Sequence, residues 1–232
     1  MGLKEDLYSN VSNIFATRWE ARQGQQVPEP TDVNLGNDAV TLNATVLYAD
    51  LAESTNLVDK YTKPFAAEIY KSYLLCASKI IRTEGGEITA FDGDRVMGVF
   101  LGSTKNTSAA RCALKLNYAV REIINPAIKT QYANSTYEVR QSVGIDTSEL
   151  FVARTGIRGS NDLVWVGRAA NYAAKLCSLR EESYASWITK DVYDSLADEA
   201  KYGGANASPM WEARNWTAKG ITVYRSSWFW KF

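Results

Sequence analysis

Asp50 and Asp94 are the side chains whose type and spacing could do chemistry. Asp50 stands where the apolar run Val46-Leu47-Tyr48 stops, so it reads as the exit of a buried strand. Asp94 follows Asp92-Gly93, a two-residue hairpin signal, because a type I′ turn needs positive φ at both central residues. That reading makes Asp94 the first residue of a returning strand through residue 100. With the hairpin beside the first strand, the two carboxylates converge on one hard cation, a ligand set that suits Mg2+ or Mn2+. Two ordinary turn aspartates are the alternative, since Asp is favoured in turns for local reasons. The chain has no histidine. That removes Ser-His and Cys-His triads and histidine-dependent phosphohydrolases, and leaves a metal-carboxylate mechanism standing.

Those two groups need a scaffold, and the hydrophobic pattern supplies one. Leu3, Leu7, Val11, Ile14, Phe15, Arg18 and Trp19 recur at helical spacing, predicting an amphipathic helix over about the first 20 residues that packs on the domain or dimer, or binds a partner. Residues 23–43, with Pro28, Pro30 and Gly36, read as a linker, which divides the chain into a leading segment 1–40 and a catalytic domain 41–232. Pro64 suits the first turn of a helix whose core stripe runs Phe65, Ile69, Tyr73, Cys76, Ile80 and which ends at Gly85-Gly86. Residues 107–124 predict a second helix stopped by Asn125-Pro126. Strands are expected at 137–146, 150–155, 163–166 and 187–189, helices at 168–179 and 191–199, and a hairpin of 211–216 with 221–224 around Lys219-Gly220. This order predicts an α/β (α+β) fold, a ferredoxin-like βαββαβ sandwich with C-terminal additions. Trp228-Phe229-Trp230 reads as a packed terminus or an interface.

At 232 residues the chain holds one large domain with a modest extension. Lys plus Arg and Asp plus Glu both number 26, so no global field draws it to nucleic acid or an anionic membrane. Cys76, Cys112 and Cys177 fit neither a disulfide framework nor a zinc site and read as core residues of a reducing, cytoplasmic protein. No apolar run approaches the roughly 20 residues of a membrane helix, and the N-terminus lacks a signal-peptide layout.

Read together, Tyr48-x-Asp50-Leu51-x-x-Ser54-Thr55, Glu84-Gly85-Gly86-Glu87, Gly93-Asp94, Val143-Gly144-Ile145-Asp146, Gly159-Ser160, Gly167-x-x-x-Asn171-x-x-x-Lys175-Leu176 and Lys219-Gly220 resemble the class III nucleotide cyclase catalytic domain over residues 41–225. The pattern is most similar to the bacterial pyrimidine cyclases of the Pycsar antiphage systems. The resemblance implies that two divalent ions, Mn2+ or Mg2+, are bound by Asp50, Asp94 and the Leu51 carbonyl. The exposed amides after Asp50, through Ala52-Glu53-Ser54-Thr55, would cradle the triphosphate at a helix start. It also gives Asn171 the role of orienting the ribose and Lys219 that of binding triphosphate. Where the family usually has a transition-state arginine, this chain has Lys175, which keeps the charge without the bidentate fork, or is a solvated helix residue. A chain carrying both half-sites implies a head-to-tail homodimer with two composite sites.

The positions that read purine bases in the family are Ala90 and Val164, and neither side chain can hydrogen-bond. With Asp92-Gly93 as the turn, Ala90 pairs with Arg95, which fills the vacated space. A guanidinium only donates; the 4-position of uracil accepts and that of cytosine donates, so UTP is favoured. Tyr48 would narrow the pocket against a purine or stack on the base, and Arg95 could instead be an exposed strand arginine. The resemblance implies synthesis of 3′,5′-cyclic UMP on phage infection and a separate cyclic-nucleotide effector. The competing readings are a cytidylate or adenylate cyclase of the same family, and a cyclase-like domain that binds nucleotide without catalysis.

Overall fold

The computed structural model describes residues 2–181 and 183–232. In chain order the elements are α1 (Leu3–Ala16), β1 (Glu20–Gln23), β2 (Asp38–Leu51), α2 (Ser54–Lys60), α3 (Lys63–Thr83), β3 (Glu87–Asp92), β4 (Arg95–Phe100), α4 (Lys105–Ala119), α5 (Asn125–Gln131) and β5 (Gln141–Ile157). There follow β6 (Ser160–Val166), α6 (Arg168–Cys177), β7 (Ser186–Thr189), α7 (Lys190–Asp194), α8 (Asp198–Lys201), β8 (Tyr202–Gly203), β9 (Ser208–Pro209), β10 (Glu212–Trp216) and β11 (Ile221–Ser226). The chain divides into two compact units, residues 44–148 with 168–232, and residues 1–43 with 149–167.

The larger unit is built on the strand order β10-β11-β7-β5-β2-β4-β3. Its central part, β5-β2-β4-β3, has the order expected when β2-α3-β3-β4-α4-β5 folds as a ferredoxin-like βαββαβ unit. Strand alternation sends two sets of side chains to opposite faces. Leu47, Ala49, Leu51, Val96, Phe100, Val143, Ile145 and Ile188 join Ile69, Tyr73 and Ile81 of α3 and Ala109, Ala113 and Leu116 of α4 in one core. On β7 and β11 the alternate residues Trp187 and Val223 pack with Leu176 of α6 and Trp216. Gly144 of β5 lets α6 come down onto the strand. A Cβ there would stand 2.2 Å from the Ala173 carbonyl oxygen and 2.3 Å from the Cys177 nitrogen. Trp228 and Trp230 pack against the main core, and the Trp230 amide donates to the Leu114 carbonyl, as expected of a packed terminus.

Several boundaries differ from the sequence expectation. The helix after β2 is two helices, and Thr62 caps the second by accepting from the Phe65 amide. Asn125-Pro126 does not stop α4: a π turn at Val120–Ile124 carries the chain into α5, which tolerates Pro126 in its first turn. Asn125 instead clamps the Val139 backbone from both sides, donating to its carbonyl at 3.1 Å and accepting from its amide at 2.8 Å. The strands expected at 137–146 and 150–155 are one, β5. Its polar interruption is satisfied sideways: Thr147 Oγ1 donates to the Ala44 carbonyl and Ser148 Oγ accepts from the Ala169 amide at the start of α6.

In the smaller unit, α1 carries the expected stripe from Leu3 to Phe15 but ends at Ala16, before Trp19, and among its described residues none is buried. The segment read as a linker contains the start of β2, whose residues Asp38–Thr41 pair in parallel with β1. β6 pairs antiparallel with the end of β5, from Phe151↔Val166 to Ile157↔Ser160.

Candidate active site

β2 ends at Asp50 and Leu51, and the Gly93-Asp94 turn of the β3–β4 hairpin brings Asp94 close enough for its charge to act on Asp50. Burial, then the Asp94 charge, hold the Asp50 carboxyl above its usual range. Asp94 Oδ2 is buried and has no hydrogen-bond partner among the described residues. A carboxylate oxygen in that position is costly unless a cation meets it. Among the described residues no group of three or more His, Cys, Asp or Glu side chains could hold a metal, so the oxygens at this end of β2 are the Asp50 and Asp94 carboxylates and the Leu51 main-chain carbonyl. Oxygen donors of that kind suit a hard divalent ion.

After Leu51 the chain turns through Glu53 in the left-handed region, φ 59°, and enters α2 at Ser54. Ser54 and Thr55 therefore supply the first amides of a helix, which lack intrahelical partners. The Ala52 amide does not belong to such a cradle, because it donates to the Arg140 carbonyl at 2.8 Å.

The hairpin corrects the base-reading geometry. Arg95 pairs with Asp92, Phe91 with Val96 and Ala90 with Met97, so the turn is Gly93-Asp94 and Asp94 belongs to it rather than to the returning strand. Gly93 has φ +60° and Asp94 is not among the positive-φ residues, the pattern of a type II′ turn. The pairing differs by two residues from the expected Ala90–Arg95 opposition. An even shift keeps both residues on one face but makes them diagonal neighbours. Met97 is opposed by Tyr48 on its other side, so Tyr48, Ala90 and Arg95 share that face. The Arg95 guanidinium lies 5.5 Å from the Tyr48 ring centroid and donates to Asp92 Oδ2 at 2.9 Å. Burial raises the Tyr48 phenol above its usual range. Val164 lies in the smaller unit, on β6 opposite Ala153.

Asn171 and Lys175 are both exposed on α6, one turn apart. Lys219, in the turn between β10 and β11, sits 5.6 Å over the Tyr172 ring. A shallow cavity of about 550 Å3 is lined by Arg95, Ala174, Lys175, Ser178, Trp216 and Lys219. One chain thus gathers Arg95, Lys175 and Lys219 around one hollow.

Three groups hold these residues in place: Asp146 and Asp92, legible in the sequence only as motif and turn residues, and Arg180, which no motif singles out. Asp146, fully buried on β5, accepts from Thr189 at 2.6 Å and from Arg168 at 3.0 and 3.2 Å, which pins the start of α6. Asp92 orients Arg95. Arg180, past the end of α6, donates to Asp50 Oδ2 at 2.8 Å. Their partners lie 22 or more residues away except for Asp92, so no local spacing signals them.

No family model matches this chain. It is 52% identical over 233 residues to a uridylate cyclase of Xanthomonas perforans, covering 100% of this chain and 99% of that one. It is 53% identical over 232 residues to a uridylate cyclase of Burkholderia cepacia, with 99% of each chain covered. In three dimensions it is similar to a bacterial light-regulated adenylyl cyclase, with a TM-score of 0.70 at 20% identity, over 88% of this chain and 56% of that one. The fold is that of a class III cyclase catalytic domain, as the sequence resemblance implied.

Proposed function

The chain belongs to the uridylate cyclase family, and from that premise we propose that it converts UTP into 3′,5′-cyclic UMP and pyrophosphate. The ribose 3′-oxygen attacks the α-phosphorus, the bond from that phosphorus to the bridging oxygen of the β-phosphate breaks, and the hydroxyl proton is released. No protein nucleophile is required. The observation that carries the reading is the buried, unpartnered Asp94 oxygen beside Asp50 at the end of β2.

Asp50, Asp94 and the Leu51 carbonyl would hold two divalent ions, Mn2+ or Mg2+. When bound, such ions lower the pKa of the attacking hydroxyl and neutralise charge on the leaving pyrophosphate. The amides of Ser54 and Thr55 bind phosphate oxygens at the start of α2. Asn171 orients the ribose, Lys175 offsets the charge that builds at the α-phosphate, and Lys219 holds the triphosphate. Arg95, braced by Asp92, donates to the uracil 4-oxygen, while Tyr48 stacks on the base or narrows its pocket. Neither Ala90 nor Val164 has a side chain that can hydrogen-bond a purine. The metal carboxylates of one chain and the Asn171–Lys175–Lys219 set of a second copy complete each site in a homodimer. The sequence resemblance extends this reading to antiphage defence, with cyclic UMP acting on a separate effector.

Purified protein supplied with Mn2+ and each of the four ribonucleoside triphosphates is expected to cyclise UTP in preference to CTP, ATP and GTP. Arg95→Ala is expected to erase most of that preference. Equal turnover of all four by the wild type would remove the Arg95 argument, and turnover of none would leave a nucleotide-binding domain without catalysis.

A further inference from the structure

Arg180 has no part in the reaction as described, yet it occupies the ligands on which that reaction depends. Its Nη2 donates to Asp50 Oδ2 at 2.8 Å and reaches the Leu51 carbonyl oxygen at 3.4 Å. Its Nη1 donates to the Cys177 carbonyl at the end of α6. One guanidinium therefore spans two of the three metal donors proposed above and ties them to the helix that carries Asn171 and Lys175. A guanidinium and a divalent ion cannot share these oxygens on equal terms. They compete for the same lone pairs, and two cations at contact distance repel. Arg180 also lines a cavity of about 660 Å3 bounded by Ala52, Glu53, Gln141 and Leu179, which gives a displaced side chain room to move.

We infer that Arg180 is an internal competitor for the metal site, holding Asp50 and Leu51 in the metal-free chain and giving them up when the ion binds. This rests on the assignment of Asp50, Asp94 and Leu51 as metal ligands. Two consequences follow from the geometry. The ion must displace a charge-assisted hydrogen bond before it binds, so Arg180 weakens apparent metal affinity. Binding also releases the Cys177 carbonyl, so occupancy of the metal site is felt at the end of α6. Arg180 is thus a positioning residue acting through Asp50.

The test is direct Mn2+ binding, read from loss of the free-ion paramagnetic resonance signal as metal is titrated into full-length wild type, Arg180→Ala, Arg180→Lys and Asp50→Asn. Arg180→Ala is expected to bind Mn2+ about three- to tenfold more tightly, since a charge-assisted contact of a partly exposed arginine is lost as competitor. Arg180→Lys keeps the charge without the fork and should fall between wild type and Arg180→Ala. Asp50→Asn should lose most Mn2+ binding. If Asp50→Asn loses binding while both Arg180 variants bind as weakly as wild type or more weakly, the competitor role is wrong and the metal site stands. If Asp50→Asn binds Mn2+ like wild type, the metal site itself is wrong and the inference falls with it.

Discussion

Gly144→Ala tests whether the seat of α6 on the sheet sets the geometry of the site. The added Cβ would lie 2.2 Å from the Ala173 carbonyl oxygen and 2.3 Å from the Cys177 nitrogen, both main-chain atoms that cannot swing aside. Restoring ordinary van der Waals separation requires α6 to retreat by about 1 Å. Ala173 lies between Asn171 and Lys175, so both ride with it. A misplacement of about 1 Å costs on the order of 100-fold in rate where positioning carries the chemistry. Overpacking of this kind destabilises by about 1–3 kcal/mol, or roughly 2–12 °C in Tm for a chain of this size. That is well below the usual total of about 5–15 kcal/mol, so the variant stays folded at 25 °C. The assay is pyrophosphate release from UTP with Mn2+ at 25 °C, alongside thermal unfolding. Gly98→Ala is the control, because the nearest atoms to a Cβ at 98 belong to the Ile81 side chain, at 3.1 Å and beyond. It should cost less than about 1 kcal/mol and little activity. A Gly144→Ala protein with lowered Tm but near wild-type kcat/KM would refute the claim that α6 must sit where it does. An unchanged Tm would refute the close packing itself.

Asp50→Asn and Asp94→Ala should each abolish cyclisation while the far-ultraviolet circular dichroism stays that of the wild type; retained activity would reject both as metal ligands. An equimolar mixture of Asp94→Ala and Asn171→Ala chains should recover about a quarter of wild-type activity, because half of randomly mixed dimers are mixed and each has one intact site; no recovery despite subunit exchange would count against composite sites. Arg168→Ala leaves the buried Asp146 carboxylate with the Thr189 hydroxyl and the Thr147 amide but no cation, and should destabilise by about 2–3 kcal/mol in denaturant unfolding, at the low end for a broken pair because Arg168 is partly exposed. Burial raises the Asp146 carboxyl above its usual 3.8, so the folded chain binds that proton at higher pH than the unfolded one. The cost of ionising it is present above the folded pKa and is relieved as pH falls toward 3.8. The Tm of wild type minus that of Asp146→Asn should therefore rise between pH 7 and pH 4, and a flat difference would show that Asp146 does not titrate in this way.

Much of this molecule is legible in its sequence where the signal is local. The stripe of α3, the glycine exit at Gly85, the terminal hairpin at Lys219-Gly220 and the position of Asp50 at a strand end all follow from short-range chemistry. Gly93 shows where short range fails. Asp92-Gly93 and Gly93-Asp94 are both hairpin signals, the first for a I′ turn and the second for a II′ turn, and only the pairing of Arg95 with Asp92 decides between them. Thr147 and Ser148 mimic a break in β5 because their hydrogen bonds go to Ala44 and Ala169, which lie 103 and 21 residues away. Arg180 was invisible for the same reason, its partner being 130 residues distant.

The alternation of β2 and β4 separates two tasks that evolution can then tune independently. Leu47, Ala49 and Val96 point into the core and pay for the fold, whereas Tyr48 and Arg95 stand on the opposite face, only partly buried. Replacing Tyr48 or Arg95 opens no cavity among the side chains packed on α3 and α4, although Met97 beside them is buried. With the base read from Tyr48 and Arg95 as proposed, a lineage of such enzymes would exchange one nucleobase for another through a few substitutions on that face, without having to rebuild the α3–α4 core.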